Sequence, residues 1–284
     1  MSDDTRVRIV HTIAELRAAL APHTQVTLVP TMGNLHDGHL SLVHIARRRP
    51  GVVVTSIFVN ALQFAPHEDY RRYPRTLERD CELLSAAGCD VVFAPADAEI
   101  YPEEQQYTVA PPGVLAEILE GGVRPGFFTG VCTVVLKLFN IVRPQAAVFG
   151  KKDYQQLLII QRMVRQLALP IEIVAADTVR SDSGLALSSR NGYLTAPQLQ
   201  EAAELHAVLR RLADAVRAGR SDWPQLELEA AASLAARGWQ PDYVSIRRLA
   251  DLGAPVPGTE LIAVAAARLG DTRLLDNVEI GAGD

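Results

Sequence analysis

The sequence predicts an α/β protein in which a doubly wound parallel sheet is followed by a smaller α+β domain. Two short apolar runs rich in β-branched residues, Val26–Pro30 and Val52–Asn60, enclose a stretch with apolar residues at helical intervals, Leu40–Arg49. The second run is apolar enough for a strand buried on both faces, which is typical of parallel sheets. After residue 196 the composition changes to helices rich in Ala, Leu, Glu and Arg. We therefore predict one domain over residues 1–177 and a second, smaller one over residues 178–284.

Composition limits the class of protein. With 284 residues, 48% of them hydrophobic and 21% charged, the chain can bury a large core. Its net charge of −5 argues against general nucleic-acid binding, which needs a basic excess. The three cysteines have no CxxC spacing, and the start of the sequence lacks a signal-peptide pattern, so we expect a cytoplasmic protein. No run approaches the roughly 18 apolar residues of a membrane span.

The first half of the chain then predicts alternating helices and strands. Thr12 and Glu15 form a capping-box pattern at the start of a helix that ends at Leu20. The remaining predictions, in order, are a charged loop at His67–Pro74, a helix at Thr76–Ala87, a strand at Cys89–Ala94 and a short strand near Tyr107–Ala110.

The second half begins with a glycine-rich stretch, Gly121–Gly130, which predicts a loop that is either a mobile wall over a pocket or simply a long connection. The predictions after it are a helix at Thr129–Val142, a strand at Ala146–Phe149, a helix from Asp153, a strand at Ile171–Ala175, helices at Ala196–Gly219 and Trp223–Gly238, and two strands in PDYVSIRR and ELIAVAAARL. The interruption near Asp177–Asp182 is the predicted domain boundary.

A candidate anion site lies in PTMGNLHDGH, between the first buried strand and its helix. The N-terminus of a helix at the carboxyl edge of a strand attracts anions, and Gly33 and Gly38 allow the backbone to approach a ligand closely. His36 and His39 face the same way if the helix starts early. The motif therefore predicts a phosphate site with two imidazoles. The alternative is a polar cap, with Asp37 as N-cap and both histidines merely exposed.

Polar residues follow two other apolar runs. Asn60 and Gln63 either orient a polar substrate or simply turn the chain. Lys152 is expected to contact phosphate, because ligands of doubly wound sheets collect at the carboxyl ends of the strands; otherwise Lys151 and Lys152 are a solvated pair. Of Gln155 and Gln156, at most one is expected to reach the same pocket.

Two further groups carry weaker signals. Ser188, Ser189 and Arg190 combine two hydroxyls and a guanidinium, which suits polyphosphate, although a turn with an exposed arginine explains them as well. Glu78 and Asp80 suit the first turn of a helix without any metal, but an acid there could also contact a magnesium–nucleotide.

The chemistry is narrowed by the motifs that the sequence lacks. It contains no Walker loop, no GxGxxG, no GxSxG and no HExxH. A nucleotide-using site built on His-x-Gly-His suggests attack at the α-phosphate, with cationic donors and Mg²⁺ stabilising the charge that develops there.

Taken together, the motifs resemble a known family. PTMGNLHDGH, FVNALQF, RPGFFTGV with TVVLKLFNIVRP, FGKKDYQQ and GLALSSRNGYL, in this order, are similar to the pantothenate synthetase (pantoate–β-alanine ligase) family, as is the tail AVAAARLGDTRLLDN. The resemblance covers nearly the whole chain and implies a Rossmann-like fold of the HIGH nucleotidyltransferase type. It further implies a homodimeric cytoplasmic enzyme that joins pantoate to ATP as pantoyl adenylate, which β-alanine then converts to pantothenate with release of AMP.

The resemblance also implies roles for matching positions. His36, His39 and Lys152 would be catalytic, with His39 as proton donor. The ATP site would be formed by Met32, Gly33, Asn34, Leu35, His36, Asp37, Gly38, His39, Gly150, Lys151, Lys152, Asp153, Val179, Leu187, Ser188, Ser189 and Arg190. Pantoate and β-alanine would contact Gln63 and Gln156, supported by Asn60, and Asp80 would be the remaining candidate ligand for Mg²⁺.

Four positions depart from the usual family pattern: Lys151 replaces a common Glu, Phe127 a His, Ala61 a Pro, and Arg79 an acid. Lys151 is expected to alter nucleotide affinity and not the type of reaction. Two alternatives therefore stay open. One is another adenylate-forming nucleotidyltransferase of the same fold, and the other is a nucleotide-binding regulator without catalysis.

Overall fold

The chain forms two compact units in a computed structural model that describes residues 7–65 and 69–281. The first unit comprises Met1–Ala116, Arg124–Lys151 and Gln156–Asp177, and the second comprises Glu117–Val123, Lys152–Gln155 and Thr178–Asp284. One division falls between residues 177 and 178, where the sequence predicts a boundary. Two short segments that precede this boundary, Glu117–Val123 and Lys152–Gln155, however, belong to the second unit.

The first unit contains a six-stranded parallel sheet with the strand order β1-β4-β3-β2-β5-β6. Its strands are β1 (Arg8–Val10), β2 (Val26–Thr31), β3 (Val52–Ile57), β4 (Val91–Phe93), β5 (Ala146–Gly150) and β6 (Glu172–Ala176). From β2 the chain continues outward through β3 to β4, and it then returns to β5 on the other side of β2. The carboxyl ends of β2, β3 and β5 are therefore adjacent, and ligands of doubly wound sheets bind at such a reversal.

The second unit contains a three-stranded antiparallel sheet in the order β7-β8-β9. Its strands are β7 (Trp239–Arg248), β8 (Leu261–Leu269) and β9 (Thr272–Ile280). Leu209 and Leu234, from the helices that pack on this sheet, are fully buried with Ile246 of β7 in one apolar core. The smaller domain is thus α+β, as the sequence predicts.

The α-helices lie in the connections between successive strands from β1 to β7. They are α1 (Ile13–Leu20), α2 (Asp37–Arg47), α3 (Leu77–Ala86), α4 (Asp97–Ile100), α5 (Gly113–Ala116), α6 (Glu120–Val123), α7 (Phe127–Val142), α8 (Tyr154–Gln166), α9 (Ala196–Ala202), α10 (Glu204–Arg217) and α11 (Trp223–Ala236). The capping box predicted at Thr12 and Glu15 is confirmed. Among the described residues, no helix is both long and apolar enough to span a bilayer.

Several predictions of local structure were wrong. Tyr107–Ala110 forms no strand, and Gly121–Gly130 is mostly helical, because α6 and α7 leave only residues 124–126 between them. β1 and β9 were not predicted, since three residues give too short a pattern and TRLLDN has too little alternation. Part of the predicted loop His67–Pro74, residues 67 and 68, lies outside the described residues.

Candidate active site

The two histidines of the first motif lie side by side at the start of α2. The helix begins at Asp37, so His36 is its N-cap, and the His36 Nδ1 accepts a hydrogen bond from the Gly38 N–H at 3.1 Å. The ring centroids of His36 and His39 are 4.1 Å apart. Asp37 is exposed in the first turn, and the alternative that made it the N-cap is therefore wrong. The early helix start brings both imidazoles to one site.

The turn that precedes α2 is held by Asp80, which is completely buried. Its two carboxylate oxygens accept hydrogen bonds from the Asn34 N–H at 2.9 Å and the Leu35 N–H at 2.8 Å, and the Thr76 hydroxyl donates a third at 3.1 Å. Asn34 has a positive φ of 51°, and at Gly33, whose φ is 80°, an added Cβ would lie 3.1 Å from Asp80 Oδ2. The carboxylate therefore fixes a strained turn.

This arrangement corrects the metal assignment of Asp80. Both oxygens are engaged by backbone donors inside the protein, so the residue does not fit a direct Mg²⁺ ligand. Among the described residues, moreover, no group of three or more His, Cys, Asp or Glu is placed to hold a metal ion. Leu35 was expected to line the ATP site, but its side chain is 1% exposed and packs in the core.

Beyond β3, a turn of 3₁₀ helix at Ala61–Gln63 carries the predicted amides. The Asn60 Nδ2 donates to Gln63 Oε1 and to the Gly130 carbonyl, both at 3.1 Å. The Gln63 Nε2 lies 3.3 Å from the Met32 sulfur, so the two amides and Met32 of the His motif form one group. Ala61 begins the turn in place of the usual proline.

The same turn is supported by Arg124 and Phe127. Arg124 donates to the Gln63 carbonyl at 3.0 Å, and its guanidinium carbon lies 3.7 Å from the centre of the Phe127 ring. Phe127, one of the departures from the family pattern, thus forms a cation–π contact with an arginine that holds the amide turn.

At the end of β5, Gly150 is followed by Lys151, whose Nζ lies 2.9 Å from the Asp177 carboxylate in an ion pair. This pairing offsets the extra charge that replaces the usual glutamate. Gln156 is half-buried in the first turns of α8. The neighbouring Gln155 has another use, because it donates to the Ile118 carbonyl and accepts from the Glu120 N–H. Of the two glutamines, Gln156 is therefore the one available for a substrate.

In the second unit, three of the predicted phosphate contacts line one pocket: Lys152, Ser188 and Arg190. Ser188 caps a short 3₁₀ helix, Ser189–Tyr193, and its hydroxyl oxygen accepts from the Arg190 N–H at 3.3 Å. The remaining predicted residues of this unit lie in the short 3₁₀ helices and in the segments next to them. Ser189 and Leu187 are half-buried, Val179 accepts from the Leu187 N–H, and Asp153 lies 3.6 Å from the Lys152 Nζ.

Sequence analysis missed the residues of β9 that complete this pocket. Arg273 lines it and is held by two bonds to Glu120, at 2.7 and 2.8 Å, and one of 2.6 Å to Asp242. The Asn277 Nδ2 donates to the Lys152 carbonyl at 2.8 Å. Asn277 is 125 positions from Lys152 in the sequence, and Arg273 is 153 positions from Glu120. No local sequence pattern reveals contacts over such separations. The only available signal was the similarity of the TRLLDN tail to the family.

A buried carboxylate anchors the wall of the pocket. Burial by itself would raise the pKa of Asp276, but the nearby His206, whose Nδ1 lies 3.4 Å from the carboxylate, and the hydrogen bonds donated by Arg180 outweigh this and hold the pKa below its ordinary value. The two guanidinium bonds from Arg180 measure 2.6 and 2.9 Å. Asp276 is therefore a charged structural anchor next to Asn277.

Comparison with known proteins identifies the family. The model of the pantoate-beta-alanine ligase family matches residues 8–279. The chain belongs to this family. It is accordingly an enzyme of the ligase class.

Relatives of this ligase family match over almost the whole chain. A pantothenate synthetase of Leptothrix cholodnii is 60% identical over 285 residues, covering 96% of this chain and 100% of the relative. The crystal structure of the pantothenate synthetase from Thermus thermophilus is 47% identical with a TM-score of 0.91, covering 97% and 100% of the two chains. That of the pantoate-beta-alanine ligase from Francisella tularensis, complexed with beta-gamma ATP and beta-alanine, is 32% identical with a TM-score of 0.81, covering 96% and 97%. The predicted fold class is thereby confirmed.

Proposed function

We propose that this ligase condenses pantoate with β-alanine in two steps, through a pantoyl adenylate. Membership of the pantoate–β-alanine ligase family over residues 8–279 carries the overall reaction. The use of ATP and β-alanine is supported by the Francisella tularensis relative, whose structure contains β-alanine and an ATP ligand.

In the first step, a carboxylate oxygen of pantoate attacks the α-phosphorus of ATP. An acyl–phosphate bond forms, the bond to the β-phosphate oxygen breaks, and pyrophosphate leaves. Pantoate is already ionised at neutral pH, so this step needs no general base, but it does need charge stabilisation on the phosphates and aligned reactants. His36 and His39, whose rings are 4.1 Å apart at a helix N-terminus, supply donors and a positive dipole end for the phosphates.

We assign the second unit's pocket to the phosphates of ATP. Lys152, Ser188 and Arg190 line it, and together with the adjacent Ser189 they offer two cationic groups and two hydroxyls to the triphosphate. Gly150 and Asp153 are assigned to the ribose and Val179 to the adenine, as the family resemblance implies. Arg273 adds a third cationic group at the pocket wall, largely neutralised by Glu120 and Asp242.

Pantoate is assigned to Gln63 and Gln156. Gln63 is the better supported of the two, because its turn is fixed by Asn60 and Arg124 next to Met32 of the His motif. In the second step, the unprotonated amine of β-alanine attacks the acyl carbon of the adenylate. The amide bond forms, the acyl–phosphate bond breaks, and AMP leaves together with the proton lost by the amine.

Mg²⁺ accompanies ATP in the expectation drawn from the sequence, and this stays a prediction. Magnesium sites commonly use one or two carboxylates with several waters and the substrate phosphates. Asp80 does not fit such a ligand, so we derive no step through the metal.

The decisive experiment is the exchange of radioactive pyrophosphate into ATP, measured without β-alanine. We expect exchange only when pantoate is present, because only then does the adenylate form reversibly. AMP should accumulate in full turnover only when both pantoate and β-alanine are added. Absence of pantoate-dependent exchange, despite pantothenate formation, would rule out the adenylate route.

The same assay separates the two alternative functions. A different adenylate-forming enzyme would exchange pyrophosphate with another acid or nucleotide and not with pantoate. A regulator without catalysis would bind ATP but release no AMP. We further propose, from the family resemblance, a homodimer located in the cytoplasm, which light scattering and cell fractionation would test.

A further inference from the structure

A tyrosine that sequence analysis did not select is linked to the substrate-binding amides by hydrogen bonds. The Tyr101 hydroxyl donates to Asn60 Oδ1 at 2.7 Å, and the Asn60 Nδ2 donates to Gln63 Oε1 at 3.1 Å. Tyr101 follows the short helix α4, 41 residues after Asn60. The chain of bonds therefore joins the segment after β4 to the turn after β3.

The direction of every bond in this chain is determined by its surroundings. The Asn60 Nδ2 also faces the Gly130 carbonyl at 3.1 Å, and a carbonyl can only accept, so the nitrogen must be on that side. Asn60 Oδ1 then faces the Leu62 N–H at 3.4 Å and the Tyr101 hydroxyl. The Asn60 Nδ2 therefore donates to the Gln63 Oε1, and this bond leaves the Gln63 Nε2 pointing away from Asn60.

Burial makes this orientation strict. Asn60 is 1% exposed, so water cannot satisfy its amide if the bonds are broken. Burial also raises the pKa of Tyr101, helped by the charge of nearby Asp97, which keeps the hydroxyl protonated as a donor. The tyrosine ring is held in place by Phe58, with centroids 6.0 Å apart, and by the Lys137 ammonium, 4.6 Å from the ring centre.

We propose that Tyr101 is a positioning residue for substrate binding, which acts through Asn60 to present the Gln63 Nε2 as a hydrogen-bond donor to an oxygen of the substrate. The partner of that donor in the structure is the Met32 thioether at 3.3 Å, a weak acceptor that a carboxylate or hydroxyl oxygen replaces at little cost. The inference rests on the proposed function, in which Gln63 contacts pantoate. It adds that the site selects substrates with an acceptor oxygen at this place, because the Tyr101 hydroxyl fixes the orientation of the Gln63 amide through Asn60.

The test is a double-mutant cycle with steady-state kinetics. Tyr101→Phe removes only the hydroxyl, and we expect the KM for pantoate to rise roughly 3- to 10-fold, the effect of one lost hydrogen bond, with the KM for ATP unchanged. Gln63→Ala should raise the KM for pantoate further. In the Gln63→Ala background, Tyr101→Phe should then have no additional effect, because the group through which it acts is gone.

Each outcome of the cycle has a distinct meaning. If Gln63→Ala leaves the KM for pantoate unchanged, both the proposed contact and this inference fail. If Gln63→Ala raises it but Tyr101→Phe has the same effect in both backgrounds, the contact stands and only the positioning role fails. Tyr107→Phe, at a side chain 91% exposed, is the matched control and should behave like the wild type.

A second variant tests the donor without changing Tyr101. Gln63→Glu keeps an oxygen for Asn60 to hold but replaces the nitrogen with a second acceptor. We expect it to bind pantoate more weakly than Gln63→Ala does, because two acceptors, both carrying negative charge, would then face each other. Binding as strong as that of the wild type would overturn the inference.

Discussion

At the scale of single residues, Asp80 illustrates what the sequence could and could not reveal. Its position in the first turn of α3 is visible in the sequence, but its partners, the backbone N–H groups of Asn34 and Leu35, lie 46 and 45 residues away. An acid in a helix first turn has the same local pattern whether it binds a metal, a helix dipole or a distant turn. Burial decides between these roles, and burial depends on the whole fold.

Asp80→Asn should therefore destabilise the protein and weaken ATP binding without changing its metal requirement. Asparagine has one acceptor oxygen, and its amino group would face backbone donors, so we expect a loss of about 1.5–3 kcal/mol in the free energy of unfolding. Urea denaturation measures this loss, and initial rates at varied ATP should show a raised KM. A higher Mg²⁺ requirement with unchanged stability would instead favour a metal ligand.

The sequence signals for the site residues were uneven for a physical reason. The sequence indicated His36, His39, Asn60 and Gln63 because they follow buried strands, and the structure brings each pair together, while their roles in binding stay predictions. Tyr101 and Arg273 were missed because their importance comes only from long-range contacts. Residue type and local spacing thus identify the groups at strand ends, but not those that orient them.

At the scale of elements, α7 approaches the amide turn very closely within the first unit. An added Cβ at Gly130 would lie 2.3 Å from the Leu62 carbonyl oxygen and 2.9 Å from the Gln63 backbone nitrogen. Gly130, which belongs to the stretch predicted as a loop, is therefore needed for the close packing of helix α7 against the amide turn. The glycine-rich composition of the stretch suggested flexibility, whereas the role of Gly130 is close contact.

Gly130→Ala should displace the turn that carries Gln63. Because the clash is with backbone, we expect a loss of about 1–3 kcal/mol in stability and a higher KM for pantoate. Thermal unfolding and pantoate kinetics measure the two effects. Gly281→Ala, where nothing lies within 4 Å of the new Cβ, is the control. A Gly130→Ala enzyme with wild-type kinetics would show that the turn tolerates displacement.

Strand β9 has a comparable role in the second unit, since Asn277 holds the Lys152 carbonyl. Asn277→Ala should raise the KM for ATP roughly 3- to 10-fold, because the backbone of Lys152, which we propose to bind phosphate, loses a buried hydrogen bond. Gln240→Ala, an exposed amide in the same sheet, should leave the KM unchanged. Equal effects of the two variants would contradict this role.

At the scale of the whole molecule, the sequence predicted the parallel sheet, because five of its six strands lie in mainly apolar runs, and it also predicted the α+β character of the second domain. It did not predict that residues 117–123 and 152–155 belong to the second unit. That membership depends on contacts such as those of Glu120 with Arg273 and Tyr243, the last at 2.7 Å. Charged and polar partners of this kind leave no periodic signal.

Two buried thiols predict how stability depends on pH. Burial raises the pKa of Cys89 to about 11 and that of Cys132 to about 12. In the unfolded chain a thiol loses its proton near pH ~8.5, whereas the folded chain retains it, so the free energy of unfolding should fall as pH rises above about 8.5. We expect a loss of about 1–2 kcal/mol per thiol near pH 10, measured by urea denaturation at about pH 7 and 10.

Cys132→Ala should reduce this loss of stability at high pH, even if the small cavity lowers stability at neutral pH. A dependence on pH identical to that of the wild type would show that Cys132 ionises equally in both states.

The contact of Asn277 with Lys152 also has a consequence for biosynthesis. Lys152 leaves the ribosome 125 residues before its partner, which at roughly 5–20 residues per second is a delay on the order of ten seconds. The last strand of the parallel sheet ends at Ala176, so the whole sheet is translated before β9 and can assemble during this interval. The segment around Lys152 still lacks its contact with Asn277 at that stage. In a nascent chain, the backbone of Lys152 therefore gains its bond to Asn277 only when β9 has emerged.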